Sequence, residues 1–218
     1  MSVNADVRRA VPSLTFNGTN VDTKLAPYLE SVSYTDVASG SSDSIDIQVQ
    51  NIDFKWLDSW YPVKGDKIKG SIKFKNWKSA GSDLKLSCGT FILDEISFTG
   101  GPLRLKMSAL STPADESFKS RERTQTWKKV TIQQIAQTIA SRYSLSLSYS
   151  GSSITIDALE QSDETDSAFL YSLCEDYGLS MKVYNEKLVI YDQTTKETEG
   201  AIAVLRRKSF VGDEWTYG

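Results

Sequence analysis

The chain has 218 residues, of which 39% are hydrophobic and 11% are aromatic, enough for one large or two small globular domains. Its formal net charge is −3, so bulk electrostatics favour neither nucleic acid nor an acidic membrane surface as a partner. The sequence contains no histidine, which excludes histidine-based acid–base catalysis, histidine-activated nucleophiles and the most common zinc ligand.

Targeting and redox signals are weak. Residues 1–9 contain no apolar core of a signal peptide, and no apolar run approaches the length of a transmembrane helix. We therefore expect a soluble protein made in the cytoplasm, and we interpret Asn17-Gly18-Thr19 as a turn rather than a glycosylation site. Cys88 and Cys174 are isolated in the sequence, and we expect them to be reduced, half-buried small hydrophobes.

Residues 12–110 consist of short segments in which apolar and polar residues alternate, separated by turn residues. This period of two is typical of strands that place one face in a core. The apolar positions are Leu14 and Phe16; Val32 and Tyr34; Ile45, Ile47 and Val49; Ile68, Gly70, Ile72 and Phe74; Leu84, Leu86 and Cys88; Phe91 to Phe98; and Leu103, Leu105, Met107 and Ala109. Because no long helical pattern interrupts them, we predict an antiparallel β-barrel or sandwich over residues 1–111.

An aromatic segment, residues 56–62, interrupts these strands. Its sequence predicts a short helical turn that ends before Pro62. The aromatic side chains either close the end of the barrel or form a platform on which sugar rings stack. Residues 62–66 contain a glycine but lack the length and spacing of a phosphate-binding loop, so we interpret them as a turn.

The composition changes after Ser111-Thr112-Pro113. Charged residues of both signs follow, namely Asp115, Glu116, Lys119, Arg121, Glu122, Arg123 and Lys128. This mixture is typical of a solvated connection, so we predict an exposed linker over residues 112–127. Trp127 is expected to pack on the domain that follows.

Residues 131–191 contain two copies of one pattern at a constant offset. Ile135, Ala136, Ile139, Ala140 and Tyr143 align with Phe169, Leu170, Leu173, Cys174 and Tyr177, and Leu145, Leu147, Ile154 and Ile156 align with Leu179, Met181, Leu188 and Ile190. In each copy, a helical period is followed by the alternation of strands. We therefore predict a compact αββ-αββ domain over residues 128–193.

The ends of these elements carry their own signals. Thr131 and Gln134 form a predicted capping box, and Gly178 suits a left-handed residue at the end of the second helix. Residues 150–152 and 185–186 are predicted to be hairpin turns, although Asn-Gly would be a stronger signal than Asn185-Glu186. A repeat of this length also suits a tetratricopeptide array, but two copies are too few for a solenoid.

Two acidic clusters are candidate sites. Glu160, Asp163, Glu164 and Asp166 precede the second helix, where carboxylates favour the positive end of the helix dipole, and their spacing does not match a calcium-binding EF-hand loop. Asp94-Glu95 is a candidate for half of a glycosidase pair, but neighbouring residues on a strand face opposite sides. We therefore assign no catalytic, cofactor-binding or metal-binding residue and expect no cofactor.

Residues 194–218 form a tail that is too short to be a domain. It contains an apolar run, residues 201–205, followed by Arg206-Arg207-Lys208. We expect these basic residues to be solvated or to face an interface rather than to contact nucleic acid.

Eight short stretches form a specific combination by their order and spacing. They are Pro27–Asp36, Ser39–Asp43, Trp60–Asp66, Asn76-Trp77, Cys88–Asp94, Ser111–Pro113, Thr124–Trp127 and Leu173–Leu179. Together they resemble the phage late control D family, which comprises baseplate hub proteins of contractile phage tails and of related defective-prophage and tailocin particles. The likeness covers residues 10–192.

The resemblance implies a fold and a function. Hub proteins of this family are similar to tail-tube subunits, and their barrels assemble as a trimer that adapts a six-fold tail tube to a three-fold spike. By resemblance, residues 1–111 would form a tube-like barrel and residues 128–193 a peripheral domain inserted between barrels. Tube and spike proteins of the same particle would be the partners, without catalysis, a membrane anchor or specific nucleic-acid binding.

The chain departs from the family pattern in one respect, and the sequence leaves two other functions open. Family members usually continue into a second barrel, of which residues 194–218 would be the start, so the chain is either truncated or a shorter, divergent member. An alternative function is a cell-wall carbohydrate-binding module at the tail tip. A cell-wall hydrolase is the weakest hypothesis, because the sequence offers neither histidine nor a convincing carboxylate pair.

Overall fold

The computed structural model describes residues 7–101, 103–113 and 115–200. Within these residues the chain is a mixed α+β protein of twelve strands and five short helices, which confirms the predicted fold class. Its buried apolar side chains form two clusters, one before residue 110 and one between residues 118 and 190. We refer to these clusters as the first core and the second core.

The first core is enclosed by one antiparallel sheet. Its strands are β1 (Arg9–Phe16), β2 (Thr19–Asn20), β3 (Leu29–Thr35), β4 (Ser44–Gln50), β5 (Lys67–Lys75), β6 (Leu84–Thr99) and β7 (Arg104–Leu110), with the short helix α1 (Asp22–Leu25) after β2. The strand order is β2-β1-β5-β6-β7-β4-β3. In β4 the predicted alternation is confirmed, because Ile45, Ile47 and Val49 are buried and their neighbours are half-exposed.

Strand β6 is longer than the sequence pattern suggested. The predicted strands Leu84–Cys88 and Phe91–Phe98 are one strand, which pairs with β5 through its first half and with β7 through its second. Irregular pairing near Gly89, whose φ is +103°, lets this strand bend. The bend folds the sheet over itself, so a Cβ on Gly70 of β5 would lie only 2.7 Å from Ile45 Cδ1 of β4.

The seven-stranded sheet remains open between β1 and β3 in the part of the chain that the structure describes, so a closed barrel is not confirmed. On the free edge of β1, the Leu14 amide donates to Asp22 Oδ1 at 2.7 Å and the Ser13 hydroxyl donates to Asp22 Oδ2 at 2.6 Å. The Val21 amide donates to the Leu14 carbonyl at 3.1 Å. The segment around α1 therefore occupies the backbone groups that β3 would need to close a barrel.

The second core is built by the repeat and the residues before it. The elements are α2 (Ser117–Ser120), β8 (Glu122–Thr131), α3 (Ile132–Arg142), β9 (Ser146–Ser150), β10 (Thr155–Thr165), α4 (Asp166–Asp176), β11 (Leu179–Tyr184), β12 (Lys187–Asp192) and α5 (Gln193–Thr198). The predicted order αββ-αββ is confirmed, and α4 begins and ends at the positions that the repeat assigns to it from the bounds of α3.

The predicted helix ends are also confirmed. The Thr131 hydroxyl accepts from the Gln134 amide, and the Gln134 side chain accepts from the Thr131 amide at 2.8 Å, which completes the capping box. Thr165 caps α4 in the same position of the repeat by accepting from the Ala168 amide. Gly178 has a φ of +66°, the left-handed conformation expected after α4.

One predicted hairpin is wrong. Strands β9 and β10, on either side of residues 150–152, do not pair with each other; β10 pairs with β8, and β9 runs parallel to β12. Alternation determines which face of a strand is buried but does not select its neighbour in the sheet. The hairpin at Asn185-Glu186 is confirmed, and both turn residues have positive φ, +48° and +60°.

Residues 112–127, predicted to be an exposed linker, instead contain α2 and part of β8. Phe118 and Trp127 belong to the second core, where Trp127 stacks on Phe169 with ring centroids 6.3 Å apart. The predicted packing of Trp127 on the repeat is therefore confirmed. The charged residues of this segment surround the buried side chains of Phe118 and Trp127. The composition of the segment therefore resembled that of an exposed linker.

Candidate assembly surfaces

The β11–β12 hairpin connects the second core to the first sheet through Lys182. Its Nζ lies 2.6 Å from Asp36 Oδ1 and 3.0 Å from Asp43 Oδ1, and it donates to the Val37 carbonyl at 2.7 Å. Burial favours a lower pKa for Lys182, but hydrogen bonds to both carboxylates outweigh it and leave the pKa raised. Lys182 therefore remains charged and holds the hairpin against the β3–β4 loop.

Other contacts extend this connection, which we call the joint. The Tyr191 hydroxyl donates to the Ala38 carbonyl at 2.8 Å, the Tyr184 hydroxyl donates to the Ser87 carbonyl at 3.2 Å, and the Thr90 hydroxyl donates to Asn185 Oδ1 at 3.0 Å. A Cβ on Gly40 would meet Tyr171 Oη at 3.2 Å, and one on Gly89 would meet Tyr184 Cε2 at the same distance. The two parts of the chain are thus packed closely.

A cleft of about 520 Å³ lies beside the joint. Its lining residues are Gly40, Ser41, Ser42, Leu110, Phe118, Lys119, Thr165, Ser167, Ala168, Tyr171, Met181, Lys182 and Val183. Hydroxyls and apolar side chains dominate, and the two charged lining residues are both lysines. The lining contains no carboxylate pair and no cysteine, so it offers neither the two carboxylates of glycosyl transfer nor a thiol nucleophile.

Asp166 is the centre of a polar network inside the second core. Its carboxylate is fully buried at the start of α4, where Oδ2 accepts from Arg142 Nη1 at 2.6 Å, Tyr143 Oη at 2.6 Å and Arg123 Nε at 3.1 Å. Its other oxygen, Oδ1, accepts from Gln161 Nε2 at 3.0 Å. Burial alone would raise the pKa of Asp166, but these bonds outweigh it and hold the pKa below its usual value.

Residues 51–63 form most of the connection between β4 and β5, and we call them the aromatic loop. The buried Asn51 fixes the loop, because its side-chain oxygen accepts from the Trp56 amide at 3.2 Å and its own amide donates to the Leu103 carbonyl at 2.9 Å. A 3₁₀ turn follows over Lys55–Leu57, which confirms the helical turn predicted before Pro62.

The aromatic rings at the base of this loop pack on one another. Trp56 and Trp60 meet edge-to-face at 5.5 Å, and Tyr28 contacts both. Lys55 Nζ lies 5.2 Å from the ring centroids of Tyr28 and Trp60. Because the rings are engaged with each other and with Lys55, they favour the interpretation that aromatics close the end of the sheet over that of a sugar-stacking platform.

The outer side of the aromatic loop is apolar and exposed. Ile52, Phe54, Leu57, Tyr61 and Val63 are each 50–67% exposed. Tyr61 stacks on Phe98 near the end of β6, and Phe54 has a φ of +57°, an uncommon conformation for an aromatic residue. Clustered apolar side chains of this kind mark interaction surfaces on folded proteins.

A second apolar surface lies on residues 72–86, which we call the arm. It consists of the end of β5, the turn after it and the start of β6. The pairing register sets Leu84 beside Phe74 and Leu86 beside Ile72 on one face of the sheet. Leu84 and Leu86 are 44% and 43% exposed, and Trp77, which packs on Phe74, is 40% exposed.

The structure separates the acidic residues that the sequence had grouped. Asp166 is buried in its network, Asp163 bonds with Thr124, and Glu160 and Glu164 lie on β10 opposite Thr126 and Arg123. Asp94 pairs with Lys64 at 2.9 Å on the exposed part of β6. Among the described residues there is no group of three or more potential metal ligands of the histidine, cysteine or acidic type.

Several further expectations concern single features. The Asn17-Gly18 pair is a turn with two positive φ angles between β1 and β2, as expected. Cys88 and Cys174 are free, but they are fully buried in different cores rather than half-buried as expected. Arg206-Arg207-Lys208 lies outside the described residues. Over the stretch that the structure describes, no helix is both long enough and apolar enough to cross a bilayer.

The fold is shared with solved phage-tail proteins. It matches a tail protein from Neisseria meningitidis with a TM-score of 0.59 and 14% identity, covering 83% of this chain and 50% of that one. It also matches the 43 kDa tail protein of a Shewanella oneidensis prophage with a TM-score of 0.57 and 13% identity, covering 84% and 54% of the two chains. At this identity the similarity describes the fold alone.

Sequence comparison leads to named relatives. Over 178 residues, or 81% of its length, the chain is 30% identical to a probable baseplate hub protein of Escherichia phage 186 and 28% identical to one of Escherichia phage P2. The chain spans 43% of the length of each relative. No protein-family profile matches it. The two matches to phage hub proteins confirm the resemblance to baseplate hub proteins that the sequence motifs predicted.

Proposed function

We propose that the chain is a structural hub component of a contractile phage tail or a phage-tail-like particle, where it helps to adapt the six-fold tail tube to the three-fold spike. The observation that carries this proposal is the match over 81% of the chain to two proteins named as probable baseplate hub proteins. The fold shared with solved tail proteins supports it.

The proposed mechanism is geometric and requires no catalysis. The joint fixes the two cores to each other through the charged Lys182, and the aromatic loop and the arm offer exposed apolar surfaces to neighbouring subunits. Tube and spike proteins of the same particle are the proposed partners, and the virion tail is the proposed location.

The domain roles follow from the resemblance and from the open sheet. Residues 1–111, with their open sheet, are proposed to be the tube-like unit. Residues 128–193 are proposed to be a peripheral domain, and residues 194–218 the start of a second tube-like unit. Because the chain spans 43% of its relatives, their remaining length offers room for such a unit, and three chains with two units each would match a six-fold tube.

The test is composition and assembly of the particle. Tail particles purified from the source bacterium are expected to contain peptides of this chain in a fixed ratio to spike peptides, measured by quantitative mass spectrometry. Deletion of the gene is expected to abolish assembled tails in electron micrographs, and its return on a plasmid to restore them. Intact tails without the chain, formed with the gene deleted, would refute the hub function.

A further inference from the structure

Strand β11 is an edge strand of its sheet, because the strand order is β11-β12-β9. Ser39 of the β3–β4 loop occupies part of the outer edge. Its hydroxyl accepts from the Met181 amide and donates to the Met181 carbonyl, both at 3.3 Å. The backbone groups of Met181 therefore point away from β12, and the Ser39 side chain fills the place that one residue of a neighbouring strand would fill.

Val183 is the next residue along this outer edge. In an antiparallel pair, residues that bond to the partner strand alternate with residues that point away from it, so Val183 points in the same direction as Met181. Within the described ranges, neither its amide nor its carbonyl has a hydrogen-bond partner outside β12. Val183 is only 7% exposed, and buried backbone groups are nearly always paired. The edge thus lacks a partner at this residue.

The cleft beside the joint has the space for such a partner. Met181, Lys182 and Val183 form one of its walls, and the β3–β4 loop and the first turns of α4 form others. Its volume of about 520 Å³ is typical of ligand sites between domains. At about 3.3 Å per residue, the three strand residues give a wall roughly 10 Å long, which matches about three residues of an extended peptide.

The two lysines of the cleft differ in their partners. Lys182 is held by two carboxylates of the joint. Lys119 is exposed, and its Nζ donates to Ser42 Oγ at 3.3 Å, without a carboxylate at ion-pair distance in the part of the chain that the structure describes. A carboxylate that enters the cleft would therefore form the first ion pair of Lys119, and a cationic group would be repelled.

We propose that the cleft binds an extended acidic segment of a partner polypeptide, which adds to the outer edge of β11. The segment pairs with the free backbone groups of Val183, as Ser39 pairs with Met181, and places a carboxylate beside Lys119. Its apolar side chains pack on the apolar part of the lining, which includes Leu110. In strand addition of this kind, main-chain bonds supply affinity and side-chain pockets supply specificity.

The probe is a fluorescent, end-capped peptide of threonine, isoleucine, aspartate, isoleucine and threonine, titrated with the full chain in fluorescence anisotropy. Saturable binding is expected. Methylation of the backbone nitrogens of the peptide is expected to raise the dissociation constant about tenfold, because it removes the donors that strand addition requires. Exchange of the Val183 amide proton, followed by nuclear magnetic resonance, is expected to slow when the peptide binds.

A charge exchange separates recognition from folding. Lys119→Glu is expected to weaken binding of the aspartate peptide about tenfold and to bind a peptide with lysine in place of the aspartate. Lys128→Glu makes the same charge change at an exposed position of β8 and should alter neither affinity. Because a misfolded variant would bind neither peptide, the gain by Lys119→Glu reports on the cleft itself.

A steric block tests the location. Ala168 is exposed and lines the cleft, so Ala168→Trp is expected to abolish binding, whereas Gln137→Trp at an exposed position of α3 should not. Absence of saturable binding, or binding that survives both Lys119→Glu and Ala168→Trp, would overturn the site. Binding by a chain shortened to residues 1–200 but not by the full chain would assign the cleft to residues 201–218 and overturn a partner segment as its occupant.

The peptide site extends beyond the proposed hub function, and the two are tested separately. Peptide binding is measured on the isolated chain and does not depend on tail particles. If the chain is absent from purified particles, the hub function is wrong and the anisotropy results still decide the site. If the chain is present in particles but binds no peptide, the hub function stands and the peptide site is wrong.

Discussion

At the scale of single residues, two buried charges connect the secondary structure to the assembled fold. Asp166 opens α4 and at the same time gathers side chains from β8, α3 and β10. Lys182 connects β11 to the β3–β4 loop. In both networks the charge is shared among several partners, so the loss of the central residue leaves partly buried groups without compensation.

Replacing Asp166 tests the first network. Asp166→Asn keeps the shape of the side chain but leaves Arg123 and Arg142, each about one-quarter exposed, without their shared carboxylate. The free energy of unfolding, measured with urea, is expected to fall by about 3 kcal/mol. Asp157→Asn, at an exposed position of β10, is the control and should change it by less than about 0.5 kcal/mol. Equal effects of the two substitutions would contradict the structural role of the network.

The same residue gives the stability a pH dependence. Hydrogen bonds hold the pKa of Asp166 below its usual value despite burial, so its carboxylate favours the folded state above the unfolded pKa of about 4. This contribution is lost as pH falls from there through the folded pKa. Urea unfolding of wild type between pH 6 and pH 3 is therefore expected to show a steeper loss of stability than the same series for Asp166→Asn.

Replacing Lys182 tests the joint. Lys182→Met keeps the length of the side chain but leaves the fully buried Asp43 without a cation, so we expect a loss of about 2–3 kcal/mol at pH 7. Lys187→Met, at an exposed position of the neighbouring strand, is the matched control. A Lys182→Met chain as stable as this control would show that the joint depends on other contacts.

At the scale of elements, the two copies of the repeat differ at one informative position. Gly178 ends α4 in the left-handed conformation, and at the equivalent position of the first copy Ser144 ends α3 with a φ of +55°. A residue with a side chain adopts this conformation at a cost of about 1–2 kcal/mol. Glycine avoids that cost, but it loses more conformational entropy on folding, which cancels part of the gain.

Exchanging these residues is therefore expected to change stability in opposite directions. Ser144→Gly should raise the free energy of unfolding by about 0.5–1 kcal/mol, and Gly178→Ser should lower it by a similar amount. Ser148→Gly, within strand β9, is the control for glycine itself and should lower stability. Thermal and urea unfolding of the three variants would measure this, and destabilisation by Ser144→Gly would show that the strain at this position is relieved in another way.

The elements also show which parts of the fold the sequence can reveal. Helices α3 and α4, their caps and the alternation of β4 were predictable because each depends on residues a few positions apart. The pairing of β9 with β12 and the continuity of β6 were not, because they depend on which distant strands are free to pair. The candidate surfaces escaped prediction for a related reason: Leu84 and Leu86 have the pattern of core residues, and only their position beyond the core leaves them exposed.

At the scale of the whole molecule, the joint determines whether the two cores unfold together. Its contacts are mostly polar, but they are numerous and include the buried pair of Lys182 and Asp43. We expect wild type to show one calorimetric transition with equal calorimetric and van't Hoff enthalpies. Lys182→Met is expected to split this into two transitions. Two transitions in wild type would mean that the cores behave as independent domains.

The parallel pairing of β9 with β12 also has a consequence for protein synthesis. Lys187 pairs with Ser146, although the whole of β10, α4 and β11 is synthesised between them. At bacterial elongation rates β9 therefore leaves the ribosome roughly 2–8 s before its partner, with Leu147 and Tyr149 still uncovered. Although the two copies look like separate modules in the printed sequence, a nascent chain that stops after the first copy contains no smaller complete domain. Both copies must emerge before either can finish folding.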